Sequence, residues 1–434
     1  MSALRFPSFA ILTPLLLSAC ASHAPVAVTS PKPVAMPTAS APAPAIPVPA
    51  DVQAAFTRCL SDLRPAALAA GLGADSYDRL TRNLMPDLGV LPHLDSQPEF
   101  SLPIWDYLAG LVDDERVAAG QAQMRQHRDL LERISRQYSI PPAAVVAVWG
   151  VESDFGHTQG VYPLRQSLAT LSCMGRRQAF FRGEFLATLR LLQAGDSTPE
   201  KLTGSWAGAF GQTQFMPTTF ERLAVDFDGD GRRDVIDSTA DALASTANFL
   251  RKAGWQRELP WGIEVKLPAG FSTAGESRRN KRALADWQAR GLLRVDGSPL
   301  VADTPVDGLR GDSRTGLLLP AGPQGPAFLV TRNFDAFYSY NAAESYGLAI
   351  AHLADRLAGG GAFVTAWPTD DPGLSRAQRR ELQQLLSARG HDIGVIDGRL
   401  GKRSQQAIRA EQERLGQKPS GRGGMKLLVA LREQ

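Results

Sequence analysis

The chain has no strong excess of either charge. Its 47 Lys and Arg against 44 Asp and Glu leave a formal charge of +3 over 434 residues. The basic residues are dispersed rather than gathered into an arm, so the electrostatic footprint of a nucleic-acid binder is missing. Also lacking is an N-terminal apolar run able to span a bilayer core of about 30 Å. The stretch "FPSFAILTPLLLSAC" is short and is broken by Pro7 and Pro14. Cysteine is scarce: Cys59 and Cys173 are the only two besides Cys20. What remains is a globular composition and a length that suits two or three domains.

Arg5 precedes the short apolar stretch, and together they read as a secretory signal peptide over residues 1–20. Its end, Leu17-Ser18-Ala19-Cys20, resembles the lipobox of bacterial lipoproteins, which makes Cys20 the expected lipid attachment point. Several acyl chains together hold a protein at a bilayer where one would not. Ala21 follows, not the Asp that favours inner-membrane retention, so the expected location is the periplasmic face of the outer membrane. Residues 21–50 lack the large apolar side chains of a core and are dense in proline, as an extended tether would be. In an oxidising periplasm Cys59 and Cys173 are a candidate disulfide. Sequence alone leaves that pairing open.

Helical patterns dominate from Asp51 to about Trp255. Then "GIEVKLP", "TGLLLPAG" and "PAFLVTR" predict a small β subdomain over about 256–332. Helical patterning returns with "YNAAESYGLAIAHLADRLAG", and a first domain closes near residue 362. Residues 372–434 predict three short helices, at 375–389, 402–415 and 424–432, with Ser375 as N-cap and Gly390 as C-cap of the first. The expected fold class is α+β, mostly helical.

One stretch carries a chemical signal. In "IPPAAVVAVWGVESDFG" the helix starts at Pro141-Pro142, and Gly156 is the expected stop. Val145, Val148 and Trp149 share a face with Glu152, and Val146, Ala147 and Val151 cover most of the rest, so the helix should be internal. Burial and the negative end of the helix dipole both favour the protonated carboxyl, which suits a general acid. The competing reading is a structural glutamate paired with Arg176 or Arg177. Asp154 is the nearest second acid, but two positions along a helix end it points elsewhere. A mechanism with a single acid follows.

The strings "GVES-FG" at Glu152, "GRRQAFFRGEF" at 175–185, "GSWAGAFGQTQFMPTTF" at 204–220, "DFDGDG" at 226–231 and "SYNAAESYGLAIA" at 339–351 occur in order. Together they resemble the membrane-bound lytic murein transglycosylase B family over most of 51–360. The resemblance implies a lysozyme-like helical core that cleaves the β-1,4 bond between N-acetylmuramic acid and N-acetylglucosamine without water. One glutamate, here Glu152, acts as acid and then as base, and a 1,6-anhydromuramoyl end results. No cofactor is implied for that chemistry. Peptidoglycan strands are the implied partner, and other cell-wall enzymes are further candidates.

By the same resemblance, Ser205 and Gln214 line the cleft, Arg176 and Arg177 face lactyl or peptide carboxylates, and Tyr340, Asn341 and Tyr346 add sugar contacts. Gln212 stands where the family often has an aromatic residue. "DFDGDGRRDVID" fits an EF-hand-like Ca²⁺ loop, with Asp226, Asp228 and Asp230 at positions 1, 3 and 5. The Arg232 carbonyl, Asp234 and Asp237 complete it, and Asp241 is a substitute for the short Asp237. A structural Ca²⁺ is therefore expected. Residues 372–434 resemble a peptidoglycan-binding repeat, with Glu411 where the family usually has Phe. Two other readings stand beside this one: a muramidase that uses water, and a non-catalytic wall-binding scaffold.

Overall fold

Apolar periodicity builds the first half of the chain from helices. The computed structural model describes residues 48–95, 102–302, 304 and 307–434. The signal-peptide segment, Cys20 and nearly all of the tether lie outside these residues. Helices α1 (Ala50–Ala69), α2 (Ala74–Thr81), α3 (Ile104–Leu111), α4 (Asp114–Gln126) and α5 (Arg128–Tyr138) lead to α6 (Pro142–Ser153). A two-residue strand β1 (Tyr162–Pro163), helices α7 (Leu164–Cys173) and α8 (Gln178–Ala194), and strand β2 (Thr203–Gly204) follow. Helices α9 (Pro217–Leu223) and α10 (Thr239–Lys252) close this half.

The sheet falls inside the segment where the sequence texture changes. It comprises β3 (Gly262–Lys266), β4 (Arg282–Ala283), β5 (Leu293–Arg294), β6 (Arg314–Leu318) and β7 (Ala327–Val330), in the order β4-β6-β7-β3-β5 with antiparallel neighbours. Helix α11 (Leu284–Ala289) sits within it. Trp287 of α11 is fully buried and donates Nε1–H to the Thr315 carbonyl at 3.0 Å, which satisfies its one polar atom. The chain then returns as α12 (Arg332–Asn341) and α13 (Glu344–Leu357). Last come α14 (Arg376–Ala388), α15 (Lys402–Arg414) and α16 (Met425–Arg432).

Helix α6 is the centre of the largest core. Ala144 to Gly150 are all buried, and Val145, Val146 and Val148 have no exposed surface. β-Branched residues are indifferent helix formers; here burial against α10, α12 and α13 fixes the helix instead. A second core joins α1, α2, α7, α8 and the turn-rich segment 204–220. The two cores meet at Phe249 and Tyr340, which pack against both. Across the second core, Cys59 of α1 and Cys173 of α7 form a disulfide, with Cα atoms 5.8 Å apart.

The C-terminal helices enclose a core of their own around Leu382, Leu386, Ile408 and Leu428. Ser375 caps α14 in a reciprocal pair: its Oγ accepts from the Gln378 amide, and Gln378 Oε1 accepts from the Ser375 amide. Glu411 is buried where an apolar residue was expected. Its carboxylate accepts from His391 at 2.8 Å and from Arg414 at 2.9 Å. Burial alone would raise its pKa, yet these hydrogen bonds outweigh burial and hold it below the usual range. The described residues form one compact unit.

Candidate active site

Glu152 is the penultimate residue of α6, and the helix ends earlier than the sequence suggests. Asp154 (φ 52°) and Phe155 (φ 61°) are both left-handed, so the chain leaves the helix two residues before Gly156. Aspartate tolerates this conformation, and Phe155 is compensated by packing. Its ring meets Trp149 edge-on with centroids 5.7 Å apart. It also covers Gly150, where an added Cβ would lie 2.8 Å from the ring. Arg116 donates to the Gly150 carbonyl at 2.8 Å. The negative end of the helix beside Glu152 is therefore capped by a guanidinium, and the dipole effect expected from sequence is offset.

The Glu152 side chain is half-buried. It opens on a cavity of about 350 Å³ lined by Leu102, Tyr107, Leu111, Val151, Asn341 and Tyr346, with Asp106, Gly110 and Arg379 completing the wall. Tyr346, on the first turn of α13, donates its hydroxyl hydrogen to Glu152 Oε1 in a close contact. Burial and the neighbouring Glu152 both raise the pKa of this phenol, so it remains a donor at any physiological pH. Tyr340 is not among the residues that line this cavity. Its hydroxyl donates to the Thr213 carbonyl at 2.7 Å, and its ring stacks on Tyr346 with centroids 6.3 Å apart. It buttresses the residue that touches Glu152.

Among the described residues, the second carboxylates near this site are already engaged. Asp106 accepts from Arg422 through both oxygens, at 2.6 and 2.7 Å. Asp154 accepts from Arg376 at 2.8 Å and lies 3.6 Å from Arg116.

The segment 204–216 folds as a tight double turn bridged by Phe210 to Gly204 and to Phe215. It is tied to the end of α6 by Ser153, whose hydroxyl donates to the Gln212 carbonyl and accepts from the Gly156 amide at 2.8 Å. Only glycine fits at 160 and 204, because a Cβ on Gly160 would sit 2.1 Å from the Gly204 carbonyl carbon. Within this turn Ser205 accepts from the Ala209 amide at 3.0 Å. Gln214 donates to the carbonyls of Gln159 and Gly211 at 3.0 and 2.9 Å. Gln212 donates to the Ile236 carbonyl at 3.2 Å. These polar groups hold the turn, and Ser205 and Gln214 are not part of the Glu152 cavity wall.

Arg176 donates to the Leu94 carbonyl, and Arg177 lies over the Phe180 ring at 4.5 Å. Both are exposed, and neither belongs to that wall.

In the acidic loop, Asp226, Asp228 and Asp230 bring carboxylate oxygens within 4.8 Å of one another. That arrangement suits a hard cation. Asp241 is buried and accepts the amides of Phe227, Asp228 and Asp234, so it shapes the loop from below. Asp234 accepts the amides of Ile236 and Asp237 through one oxygen. Asp237 is held by Lys201 Nζ at 2.6 Å, and Arg232 pairs with Asp230 at 3.1 Å.

Residues missed by the sequence reading cluster where the C-terminal domain meets the rest. Arg376 donates to Asp113 at 3.0 Å and to Asp154 at 2.8 Å, Arg380 meets Glu115 at 2.5 Å, and Arg422 holds Asp106. No spacing rule flags them, because on their own helix they look like a solvated basic face.

Residues 55–355 match the transglycosylase SLT domain family, and the chain belongs to that family. Residues 375–431 match the peptidoglycan binding domain family. The protein is thus a lytic transglycosylase, an enzyme that cleaves glycosidic bonds of peptidoglycan, with a wall-binding domain at its C-terminus. It is similar to the membrane-bound lytic murein transglycosylase B of Escherichia coli (strain K12), with 30% identity over 292 residues, 65% of this chain and 74% of that one. SltB3 from Pseudomonas aeruginosa, solved in complex with NAG-NAM-pentapeptide, is 46% identical. It covers 87% of this chain and 99% of its own, with a TM-score of 0.69. The Escherichia coli lytic transglycosylase Slt35, solved in complex with calcium, is 26% identical over 70% of this chain and 92% of that one, with a TM-score of 0.59.

Proposed function

We propose that Glu152 is the single catalytic acid and base of this enzyme. The observation that carries the reading is the Tyr346–Glu152 hydrogen bond on the wall of a cavity whose other described carboxylate, Asp106, is fully engaged. In this reading the scissile bond joins C1 of N-acetylmuramic acid to O4 of N-acetylglucosamine. Protonated Glu152 gives its proton to O4 as the C1–O4 bond breaks. The resulting carboxylate takes the proton of the muramoyl C6 hydroxyl, and O6 bonds to C1. The substrate supplies its own nucleophile, so one carboxyl serves both steps and leaves as it began, protonated. The product carries a 1,6-anhydromuramoyl end.

Purified glycan strands digested with wild type and with Glu152→Gln test this. Anhydro ends that vanish in the variant are the expected result in mass spectrometry. Reducing ends from wild type would instead mean a hydrolytic muramidase, and intact strands a scaffold.

Two further assignments belong to the same reading. Cys20 is the lipid attachment point, which places the enzyme on the periplasmic face of the outer membrane. Metabolic labelling with a clickable fatty acid should mark the wild type and not Cys20→Ala. Among the described residues no helix is long and apolar enough to cross a membrane, and the membrane-bound relative carries that property in its name. The 226–237 loop binds Ca²⁺ through Asp226, Asp228 and Asp230, in a structural role. Calcium should raise Tm over EDTA, and Asp228→Asn should abolish the rise.

A further inference from the structure

Arg379 enters no ion pair with a described carboxylate, although the charges of Asp106 and Asp113 act on it. It sits near the start of α14, in the C-terminal domain, yet it lines the same cavity as Glu152. Its Nη2 donates to the Asp106 carbonyl at 2.9 Å, and among the described residues it makes no ion pair. The Asp106 carboxylate is not available to it, since Arg422 holds both oxygens. Arg376, Arg380 and Arg422 of the same domain each meet a carboxylate. Arg379 is the one that instead joins the cavity wall. Burial pushes its pKa down, with Asp106 and Asp113 pulling the other way.

Arg379 is the one cation among the described residues that line this cavity. Apart from Glu152 and the engaged Asp106, the lining is neutral and largely apolar: Leu102, Tyr107, Leu111 and Val151. A guanidinium with unused donors in such a wall offers a planar fork that matches a carboxylate. Its position is tightly set by α3. A Cβ added to Gly110 would lie 2.5 Å from both Nη atoms.

We propose that Arg379 binds a carboxylate of the glycan substrate, from the muramoyl lactyl group or from its stem peptide, and so positions the strand beside Glu152. The proposal rests on the transglycosylase reading above. It makes the wall-binding domain a contributor to the catalytic cleft and not only an anchor.

The test compares three glycan strands in steady-state kinetics: strands stripped of peptides, strands bearing stem peptides, and strands whose carboxylates are converted to methylamides. Arg379→Gln should raise KM on the order of tenfold on a carboxylate-bearing strand, with kcat little changed. It should leave the methylamide strand unaffected. A loss confined to stripped strands identifies the lactyl group, and one confined to peptide-bearing strands identifies the peptide. Gly110→Ala keeps every charge but displaces the guanidinium, and it should reproduce the pattern. Equal losses on all three strands, or none on any, would overturn the proposal. Wild type is scored separately for anhydro ends on unmodified strands. If those are absent the transglycosylase reading fails, whereas their presence with unselective kinetics removes only Arg379.

Discussion

Tyr346 donates its hydroxyl hydrogen to Glu152 across a sequence separation of 194 residues, joining the start of α13 to the end of α6. The bond reaches Glu152 from inside the protein, and the Glu152 side chain lines the cavity. Tyr346→Phe removes the donor and preserves the packing against Tyr340. A hydrogen bond to a charged group, such as the carboxylate Glu152 becomes after giving up its proton, contributes about 1.5–3 kcal/mol. We therefore expect kcat to fall by about 10- to 100-fold with KM nearly constant, read from release of anhydro ends.

Arg376 joins three elements: its guanidinium meets Asp113 at the start of α4 and Asp154 just past α6. Asp113 is buried, and burial alone would raise its pKa. The Arg376 side chain and the amides of Arg116 and Arg376 outweigh burial and hold it below the usual range. A depressed carboxyl stabilises the fold above its unfolded value and loses that contribution as pH falls through the folded one. Arg376→Ala should cost about 3–5 kcal/mol near neutral pH, the penalty for a buried charge left without its partner. In urea unfolding the deficit should shrink once Asp113 is protonated in acid.

The disulfide joins residues 114 positions apart. In the chain-entropy view a loop of about 100 residues contributes about 4.7 kcal/mol by restricting the unfolded chain. The double variant Cys59→Ser, Cys173→Ser should lower Tm markedly. Reductant should do the same to the wild type and leave the variant unchanged.

Asp355 behaves in the opposite sense to Asp113. Burial pushes its carboxyl from the usual 3.8 up to about 6, although Trp261 donates to it at 2.8 Å. A raised carboxyl contributes its stability below the unfolded pKa and loses it as pH rises through about 6. Asp355→Asn keeps an acceptor for Trp261 and carries no charge. It should raise Tm by about 2–4 °C at pH 7 and give no gain at pH 4, in paired calorimetric scans.

Local pattern carried much of the architecture. The valine-rich run ending at Glu152 announces an internal helix, because no solvated face is left in it. The change to short β-type runs marks where the sheet falls. Boundaries at helix ends were less legible. Gly156 looked like the stop for α6, but Asp154 adopts the left-handed conformation first, and packing of Phe155 on Gly150 holds it there. Tyr340 and Tyr346 looked equivalent in "SYNAAESYGLAIA", since spacing does not say which hydroxyl will face a helix from another part of the chain. Asp237 matched the last position of the calcium loop, and a lysine 36 residues earlier takes its carboxylate. Arg116, Arg376 and Arg379 were invisible for a related reason. An arginine on an amphipathic helix reads as solvated until the surface that covers it is known.

The ion pairs that clamp the C-terminal domain also govern how the two glycan-binding surfaces cooperate. On a loose linker, a second binding module raises the local concentration of any strand it holds, over a broad range of spacings. Here Arg376 is bonded to Asp154, two residues from Glu152, so the module is fixed to the end of the helix that carries the acid. A rigid pair of sites rewards only strands whose path reaches both surfaces in one pose. The expected consequence is a domain that gauges substrate geometry, with less avidity for wall strands that bend away from that path.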